Sequence, residues 1–170
     1  AAANGKLYFT VTREGKPLRM RRYVYSESFA AIANAAFARG AGDSRSAEDA
    51  VAYFDTYLTH SFEPGRMPPK VDTATRPLMG IGPLMIGIAT AQELRDNLGD
   101  VSIKGRTCSE WIDWSIGQIE RYFLKPEQQA VMEIVGPNGE ISDHFDGRQL
   151  NPGHALECAW FVMHEGNLRS

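Results

Sequence analysis

A histidine and a glutamate stand three residues apart, as His154 and Glu157, directly after the turn sequence Asn151-Pro152-Gly153. If a helix begins at this turn, both side chains lie on one face of its first two turns. A neighbouring carboxylate fixes the tautomer of an imidazole and stabilises the imidazolium once the ring has taken up a proton. This spacing suits a general acid–base pair, although the helix N-terminus disfavours the imidazolium. A surface pair without a chemical role is at least as good an interpretation of the spacing alone.

The other histidines carry less weight as candidates. His60 is predicted to end a helix, where a positive charge suits the helix dipole, and His164 lies on a helix near the end of the sequence. His144 stands in a loop between Asp143 and Asp146, where both turn chemistry and a functional role stay open. The spacings Cys-x-x-Cys, His-Glu-x-x-His and Gly-x-Ser-x-Gly do not occur. We therefore expect neither a metal site nor a serine nucleophile.

Composition is that of an ordinary globular protein and excludes several classes of function. The 170 residues include 18 Lys+Arg and 21 Asp+Glu, a formal net charge of −3. Such a balance, with one short basic cluster at residues 19–22, argues against nucleic-acid binding. The most hydrophobic stretch, residues 78–91, is too short to span a membrane, and the first nine residues do not resemble a signal peptide. We expect a cytoplasmic protein in which Cys108 and Cys158 are reduced and packed.

Hydrophobic periodicity indicates which elements hold the candidate residues. Apolar residues at helical spacing predict five helices, over residues 29–40, 46–58, 83–98, 112–123 and 154–165. On the first helix, the predicted buried stripe is formed by Phe29, Ile32, Ala33, Ala36 and Phe37. Because successive helices follow one another without strand–helix–strand alternation, the chain is predicted to be all-α, with helices paired as hairpins.

Two short β-hairpins complete the predicted elements. The first pairs residues 6–12 with residues 18–24, and the second pairs residues 131–135 with residues 140–142 across a Gly-Pro-Asn-Gly turn. Ser46 is the predicted N-cap of the second helix.

The segment between the second and third helices, residues 61–82, is rich in proline and glycine and predicts a long ordered loop. The last helical pattern continues almost to Arg169 without a capping residue. We therefore expect the chain to be part of a larger fold.

Three segments of the sequence resemble the N-acylglucosamine 2-epimerase family, which includes the renin-binding proteins. The most specific is residues 147–161, where Asn-Pro-Gly-His-Ala-Leu-Glu is followed by Trp-Phe. Residues 22–29, Arg-Tyr-Val-Tyr-Ser-Glu-Ser-Phe, are similar to a second family segment, and residues 82–86, Gly-Pro-Leu-Met-Ile, to a third. Because their order and separations also fit, the resemblance covers essentially the whole chain.

The resemblance implies a fold and an activity. The fold is an (α/α)6 toroid of six helix hairpins, and the reaction interconverts N-acetylglucosamine and N-acetylmannosamine by inversion at C2. One group removes the C2 proton, which the C1 aldehyde acidifies, and a group on the opposite face returns a proton to the enediol-like intermediate. By the motif match, His154 is one of these two groups. No cofactor is implied, ATP acts as an effector in some family members, and homodimers are common.

The resemblance also implies roles for the residues around the catalytic histidine. Glu157 would orient its ring or hold the substrate. Tyr25 matches a position that faces the pocket of the family, and Glu27 lies near it. Arg148 and Asn151 shape the turn before the histidine, and each either contacts a sugar hydroxyl or braces the loop.

Two departures from the family pattern are informative. Cellobiose epimerases and aldose–ketose isomerases have a histidine after the methionine of the third segment, where this sequence has Ile86 after Met85. This favours the N-acylglucosamine epimerase branch, with an aldose–ketose isomerase or a non-catalytic sugar- or protein-binding member as alternatives. Family members are also more than twice as long. The chain is thus expected to be the central portion, residues 1–170, of one (α/α)6 domain, without the second proton-transfer group and inactive on its own.

Overall fold

Helices dominate the computed structural model, which describes residue 2 and residues 5–170. The α-helices are α1 (Tyr25–Ala41), α2 (Ser44–Phe62), α3 (Gly82–Leu98), α4 (Cys108–Gln118), α5 (Phe145–Arg148) and α6 (Pro152–Arg169). A π-helical turn, Ile119–Phe123, continues α4, and a 3-10 turn follows at Pro126–Gln128. The predicted all-α class and the five long helices are confirmed.

The strands form four small antiparallel pairs among the described residues. They are β1 (Thr10–Val11), β2 (Pro17–Arg19), β3 (Met79–Gly80), β4 (Ser102–Ile103), β5 (Arg106–Thr107), β6 (Leu124–Lys125), β7 (Ala130–Val131) and β8 (Ile134–Val135). β1 pairs with β2, β3 with β8, β4 with β5 and β6 with β7. The chain forms two compact units, one comprising residues up to 68 together with residues 90–109, the other comprising residues 69–89 and 110–170.

In the first unit, α1 and α2 pack as a helical hairpin. Large α2 side chains such as Phe54 and Tyr57 are fully buried, whereas α1 contributes the small side chains of Ala31 and Ala35. The predicted stripe on α1 is wrong, because Phe29 is 67% exposed and Phe37 is 59% exposed. Periodicity located the helix correctly, but the rotation of its buried face depends on the partner, and large residues on α2 pack against small ones on α1.

The predicted cap of α2 is also wrong. The N-cap is Asp43, whose carboxylate accepts hydrogen bonds from the Ser46 amide at 3.1 Å and from the Ser46 hydroxyl at 2.6 Å. These bonds to the Ser46 hydroxyl and amide lower the pKa of Asp43. The N-cap therefore lies three residues before the predicted position, and Ser46 lies in the first turn of the helix.

The second predicted hairpin is replaced by a pairing between distant segments. Residues 134–135 pair with residues 79–80, with Met79 opposite Val135 and Gly80 opposite Ile134. Residues 140–142 form no strand, although the Gly136 amide does donate to the Glu140 carbonyl at 2.9 Å. A local turn signal cannot reveal a partner strand that arrives from a long loop. The first predicted hairpin is confirmed as the shorter pair β1–β2.

Two findings concern membrane-spanning helices and the cysteines. No helix in the described part of the chain combines the length and the hydropathy needed to cross a membrane. Cys108 and Cys158 are both free and buried, as predicted for packed thiols.

Candidate active site

The first turn of α6 holds the histidine singled out by the sequence. Asn151 is the N-cap, and its side-chain oxygen accepts a hydrogen bond from the His154 amide at 3.3 Å. Pro152 occupies the first helical position, where its fixed φ suits a helix and its missing N–H costs nothing. The sequence therefore places the backbone of His154 on a rigid helix start, as predicted.

The ring of His154 contacts a carboxylate that sequence reasoning did not identify. Its Nδ1 lies 2.8 Å and 3.0 Å from the two carboxylate oxygens of Glu133. A carboxylate only accepts hydrogen bonds, so Nδ1 carries the proton and donates it to Glu133. The Asn151 side-chain nitrogen is 3.0 Å from the same Nδ1, but it cannot donate to a nitrogen that carries a proton.

This tautomer determines which nitrogen of His154 is available for chemistry. In the neutral ring, Nε2 is the unprotonated nitrogen and can accept a proton. Nε2 makes no hydrogen bond with any residue that the structure describes, and 47% of the His154 side chain is exposed. This is the arrangement of a general base: the carboxylate fixes the ring at Nδ1, and Nε2 is available to accept a proton.

Glu133 is held firmly by its main chain in the second unit. Its carbonyl accepts a hydrogen bond from the Ile81 amide at 3.0 Å, and the preceding amide, of Met132, donates to the Phe123 carbonyl at 2.9 Å. The next residue, Ile134, begins the strand that pairs with β3. The signal in the sequence that could have found Glu133 is a single acidic residue within the apolar run Val131–Val135.

Glu157, the predicted partner of the ring, does not contact it. The side chain of Glu157 is exposed and makes no hydrogen bond with any described residue. The carboxylate that orients His154 is therefore Glu133, because the bend between β7 and β8 that carries Glu133 lies beside the first turn of α6, a relationship that helical spacing cannot reveal. A role for Glu157 in holding the substrate stays a prediction.

The other candidates in the second unit lie on the chain leading to α6. Asn151 braces the turn through its contacts with His154, as one of the two predicted roles requires. Arg148 lies 3.5 Å from the Asp143 carboxylate, and both side chains are exposed. Arg148 also borders an open depression of about 250 Å³, lined otherwise by Gln128, Ala130, Met132, Ile141, Gly147 and Leu150. Sugar contacts by Asn151 and Arg148 stay predictions.

Tyr25 and Glu27 lie in the first unit, at the beginning of α1. The Tyr25 ring stacks on Tyr23 with their centroids 5.5 Å apart. Glu27 is completely buried, and one of its oxygens accepts a hydrogen bond from the Leu7 amide at 2.7 Å. This contact ties the segment before β1 to α1. Glu27 could reach a sugar only if that segment moved, so its predicted substrate role stays untested.

The loop histidine has a structural role. The Nδ1 of His144 caps α5 by accepting from the Asp146 amide at 3.2 Å, and its Nε2 lies 3.2 Å from a guanidinium nitrogen of Arg76. Because Nδ1 accepts, the neutral ring carries its proton on Nε2, which cannot also accept from the guanidinium of Arg76. The contact that holds His144 is therefore the cap of α5, which supports turn chemistry rather than catalysis. Across residue 2 and residues 5–170, no three metal-binding side chains lie together in a way that could hold a metal ion.

Comparison with known proteins finds relatives of a single family. The family model described as N-acylglucosamine 2-epimerase (GlcNAc 2-epimerase) matches residues 1–169. Proteins named N-acylglucosamine 2-epimerase from Bos taurus and Homo sapiens are both 30% identical to the chain over 162 residues. A protein of that name from Mus musculus is 26% identical over 162 residues. The alignments cover 93% of this chain but only 37%, 36% and 37% of the three relatives, so the chain spans little more than a third of their length.

Proposed function

Because this chain belongs to the N-acylglucosamine 2-epimerase family, we propose that the protein containing it inverts C2 of an N-acylhexosamine. The reaction would interconvert N-acetylglucosamine and N-acetylmannosamine. One observation carries the assignment to this chain: His154 is anchored through Nδ1 to Glu133, while its Nε2 is free to exchange a proton. The residue that the family motif predicts to be catalytic thus has the geometry of a general base.

The proposed reaction needs two proton transfers on opposite faces of the open-chain sugar. The C1 aldehyde acidifies the C2–H bond, and Nε2 of His154 takes that proton while the bonding electron pair moves toward O1. The enediol-like intermediate then receives a proton at C2 from the other face, which restores the aldehyde and inverts the configuration. No electrons are gained or lost overall, so the reaction as proposed requires no redox cofactor.

The second proton-transfer group is proposed to lie outside this chain. The chain would form the central portion of one (α/α)6 domain, in agreement with its span of little more than a third of the relatives. A small sugar substrate, a cytoplasmic location, a homodimer and ATP as an effector are proposed from the family resemblance alone.

The proposal is tested by incubating the full-length protein with N-acetylmannosamine in D2O and following C2 by NMR. We expect deuterium at C2 in both epimers. His154→Ala should slow the exchange by roughly 10²- to 10⁴-fold, because a positioned general base contributes about that factor. His164→Ala is the matched control, since His164 is an exposed histidine on the same helix, and it should leave the rate unchanged.

The products and the exchange rate separate the alternatives. Wild-type turnover that survives in His154→Ala would refute the assignment of His154. A ketose product would identify an aldose–ketose isomerase on the same scaffold. Sugar binding without any exchange at C2 would identify a non-catalytic member of the family.

A further inference from the structure

One residue outside the family motif around His154 lies directly beside the imidazole of the proposed base. The His154 side chain is 47% exposed, so packing alone leaves the imidazole free to rotate. Both carboxylate oxygens of Glu133 approach its Nδ1, at 2.8 Å and 3.0 Å, and the Glu133 side chain is only 23% exposed. A less exposed and better anchored group therefore fixes the orientation of a more exposed ring.

Main-chain hydrogen bonds on both sides fix the position of Glu133 beside His154. The main chain at residues 132 and 133 is hydrogen-bonded to the Phe123 carbonyl on one side and to the Ile81 amide on the other. The pair β3–β8 continues directly from this point. Because the main chain at Glu133 is fixed by these hydrogen bonds, the ring is held between the bend that joins β7 to β8 and the N-terminal turn of α6, where Asn151 caps the helix.

We propose that Glu133 is the positioning residue of the epimerase, holding His154 in the Nδ1–H tautomer so that Nε2 is the base. This proposal rests on the proposed function, because it assigns the proton transfer to Nε2. When Nε2 takes the C2 proton, the ring becomes an imidazolium, and the adjacent carboxylate offsets the new positive charge. The same carboxylate opposes the helix N-terminus, which disfavours that charge.

The chemical consequence of losing Glu133 follows from the tautomers of histidine. In water the neutral imidazole of histidine favours the Nε2–H form, in which Nε2 cannot accept a proton. Without its carboxylate, His154 would therefore present a protonated nitrogen to the substrate. A wrong tautomer in a comparable histidine–carboxylate pair lowers turnover by about 10⁴-fold.

The first measurement is spectroscopic and does not depend on turnover. In full-length protein labelled with ¹⁵N at histidine, the ring-nitrogen shifts of His154 report its tautomer. We expect the Nδ1–H form in the wild type and in Glu157→Gln, and the Nε2–H form in Glu133→Ala. An unchanged tautomer in Glu133→Ala would overturn the proposal, and so would a change caused by Glu157→Gln alone.

The second measurement separates positioning from substrate binding. In Glu133→Ala we expect kcat for N-acetylmannosamine to fall by roughly 10²- to 10⁴-fold with KM little changed. Glu133→Gln keeps the shape but removes the charge, and its amide nitrogen can donate to Nδ1, so it should favour the Nε2–H tautomer and lose kcat, as the amide variant of the comparable pair does. If Glu133→Ala does not fold, Glu133→Gln still tests the role of Glu133. Glu127→Gln is the matched control, because Glu127 is an exposed carboxylate outside the site, and its kcat should equal that of the wild type.

The two hypotheses fail in different ways. If the wild type does not exchange C2 hydrogen but Glu133→Ala changes the tautomer, the proposed function is wrong and the Glu133 contact stands. If the wild type exchanges C2 hydrogen and Glu133→Ala keeps both its tautomer and its kcat, the proposed function stands and the role of Glu133 is wrong.

Discussion

The same side chain serves different purposes in this molecule according to the group that lies beside it. His154 donates from Nδ1 to a carboxylate, which leaves Nε2 available as a base. His144 instead accepts from the Asp146 amide at Nδ1, so the acceptor nitrogen of its neutral ring is occupied in capping α5. The two side chains are chemically identical, and only their contacts distinguish a candidate base from a structural residue.

Cys108 illustrates how burial controls reactivity. Burial raises the pKa of its thiol from 9.0 to about 12, with a further contribution from the charge of Asp100. The thiolate is the reactive form, so at pH 9 only about one folded molecule in a thousand carries it. At pH 9 about half of the unfolded thiols are ionised, so we expect Cys108 to react with iodoacetamide about 500-fold more slowly in the folded chain than in denaturant, as measured by mass spectrometry of the modified peptide.

The sign of the associated pH dependence follows from the same shift. Because the pKa is higher in the folded than in the unfolded chain, Cys108 stabilises the fold below about pH 9, and this contribution is lost as the pH rises towards 12. Equal alkylation rates in the folded and denatured chain at pH 9 would contradict the assignment of Cys108 as a buried thiol.

At the scale of elements, α2 and α6 each begin at a residue whose side chain satisfies a free backbone amide of the helix. Asn151 does this for α6 and Asp43 for α2, and in both cases the side chain accepts from an amide three residues later. The sequence predicted the start of α6 to within two residues because a proline-containing turn precedes it, but Asn151 was assigned to that turn and not to the cap. The cap of α2 could not be identified from the sequence, because Asp43, Ser44 and Ser46 are all residue types that favour N-caps.

Substitution at both positions tests the observed cap of α2. We expect Asp43→Ala to lower the free energy of unfolding by about 1 kcal/mol, because the acceptor for the Ser46 amide is lost. Ser46→Ala should cost less, since the amide bond to Asp43 survives and only the hydroxyl bond disappears. Urea denaturation measures both values, and a greater loss in Ser46→Ala would favour the serine cap that the sequence suggested.

The cap also predicts a pH dependence. The hydrogen bonds from Ser46 lower the pKa of Asp43 below that of the unfolded chain. Its contribution to stability is therefore present above the unfolded pKa and is lost as the pH falls through the folded pKa. The difference between the wild type and Asp43→Ala should accordingly diminish in acid.

At the scale of the whole molecule, an apolar surface on α6 has no partner within the described residues. Leu156, Trp160 and Met163 follow one another at helical spacing, and all three are exposed. Monomeric proteins seldom leave an apolar stripe of this kind in water. It agrees with the proposal that this chain is the central portion of a longer domain, whose other helices would cover the stripe.

That proposal predicts a difference between the chain alone and the longer protein. The 170-residue chain should bind the dye anilinonaphthalene sulfonate, with the fluorescence increase reduced when Leu156, Trp160 and Met163 are all replaced by glutamine. The same triple replacement should unfold or destabilise the longer protein, because there it would bury polar groups. If the longer protein bound the dye as strongly as the chain alone, the stripe would be exposed in both and the proposal would fail.

Much of this protein could be predicted because the relevant signals are local. Helical periodicity located the long helices, and the Asn-Pro-Gly turn predicted where α6 begins and hence where the backbone of His154 lies. The same short segment carries the family motif, which the family match over residues 1–169 supports. A period of 3.6 residues, a cap and a motif each need only a few consecutive residues, so the sequence alone determines them.

Tertiary structure decided what depends on residues far apart in the chain. It selected Glu133, 21 residues before His154, as the carboxylate at the ring, and it brought residues 79–80 beside residues 134–135. It also turned α1 so that Phe29 lies in solvent while Glu27 is buried. Periodicity defines a helix but not the rotation of its buried face or the segment that lies beside its first turn. Packing partners set both, and a local pattern contains no information about them.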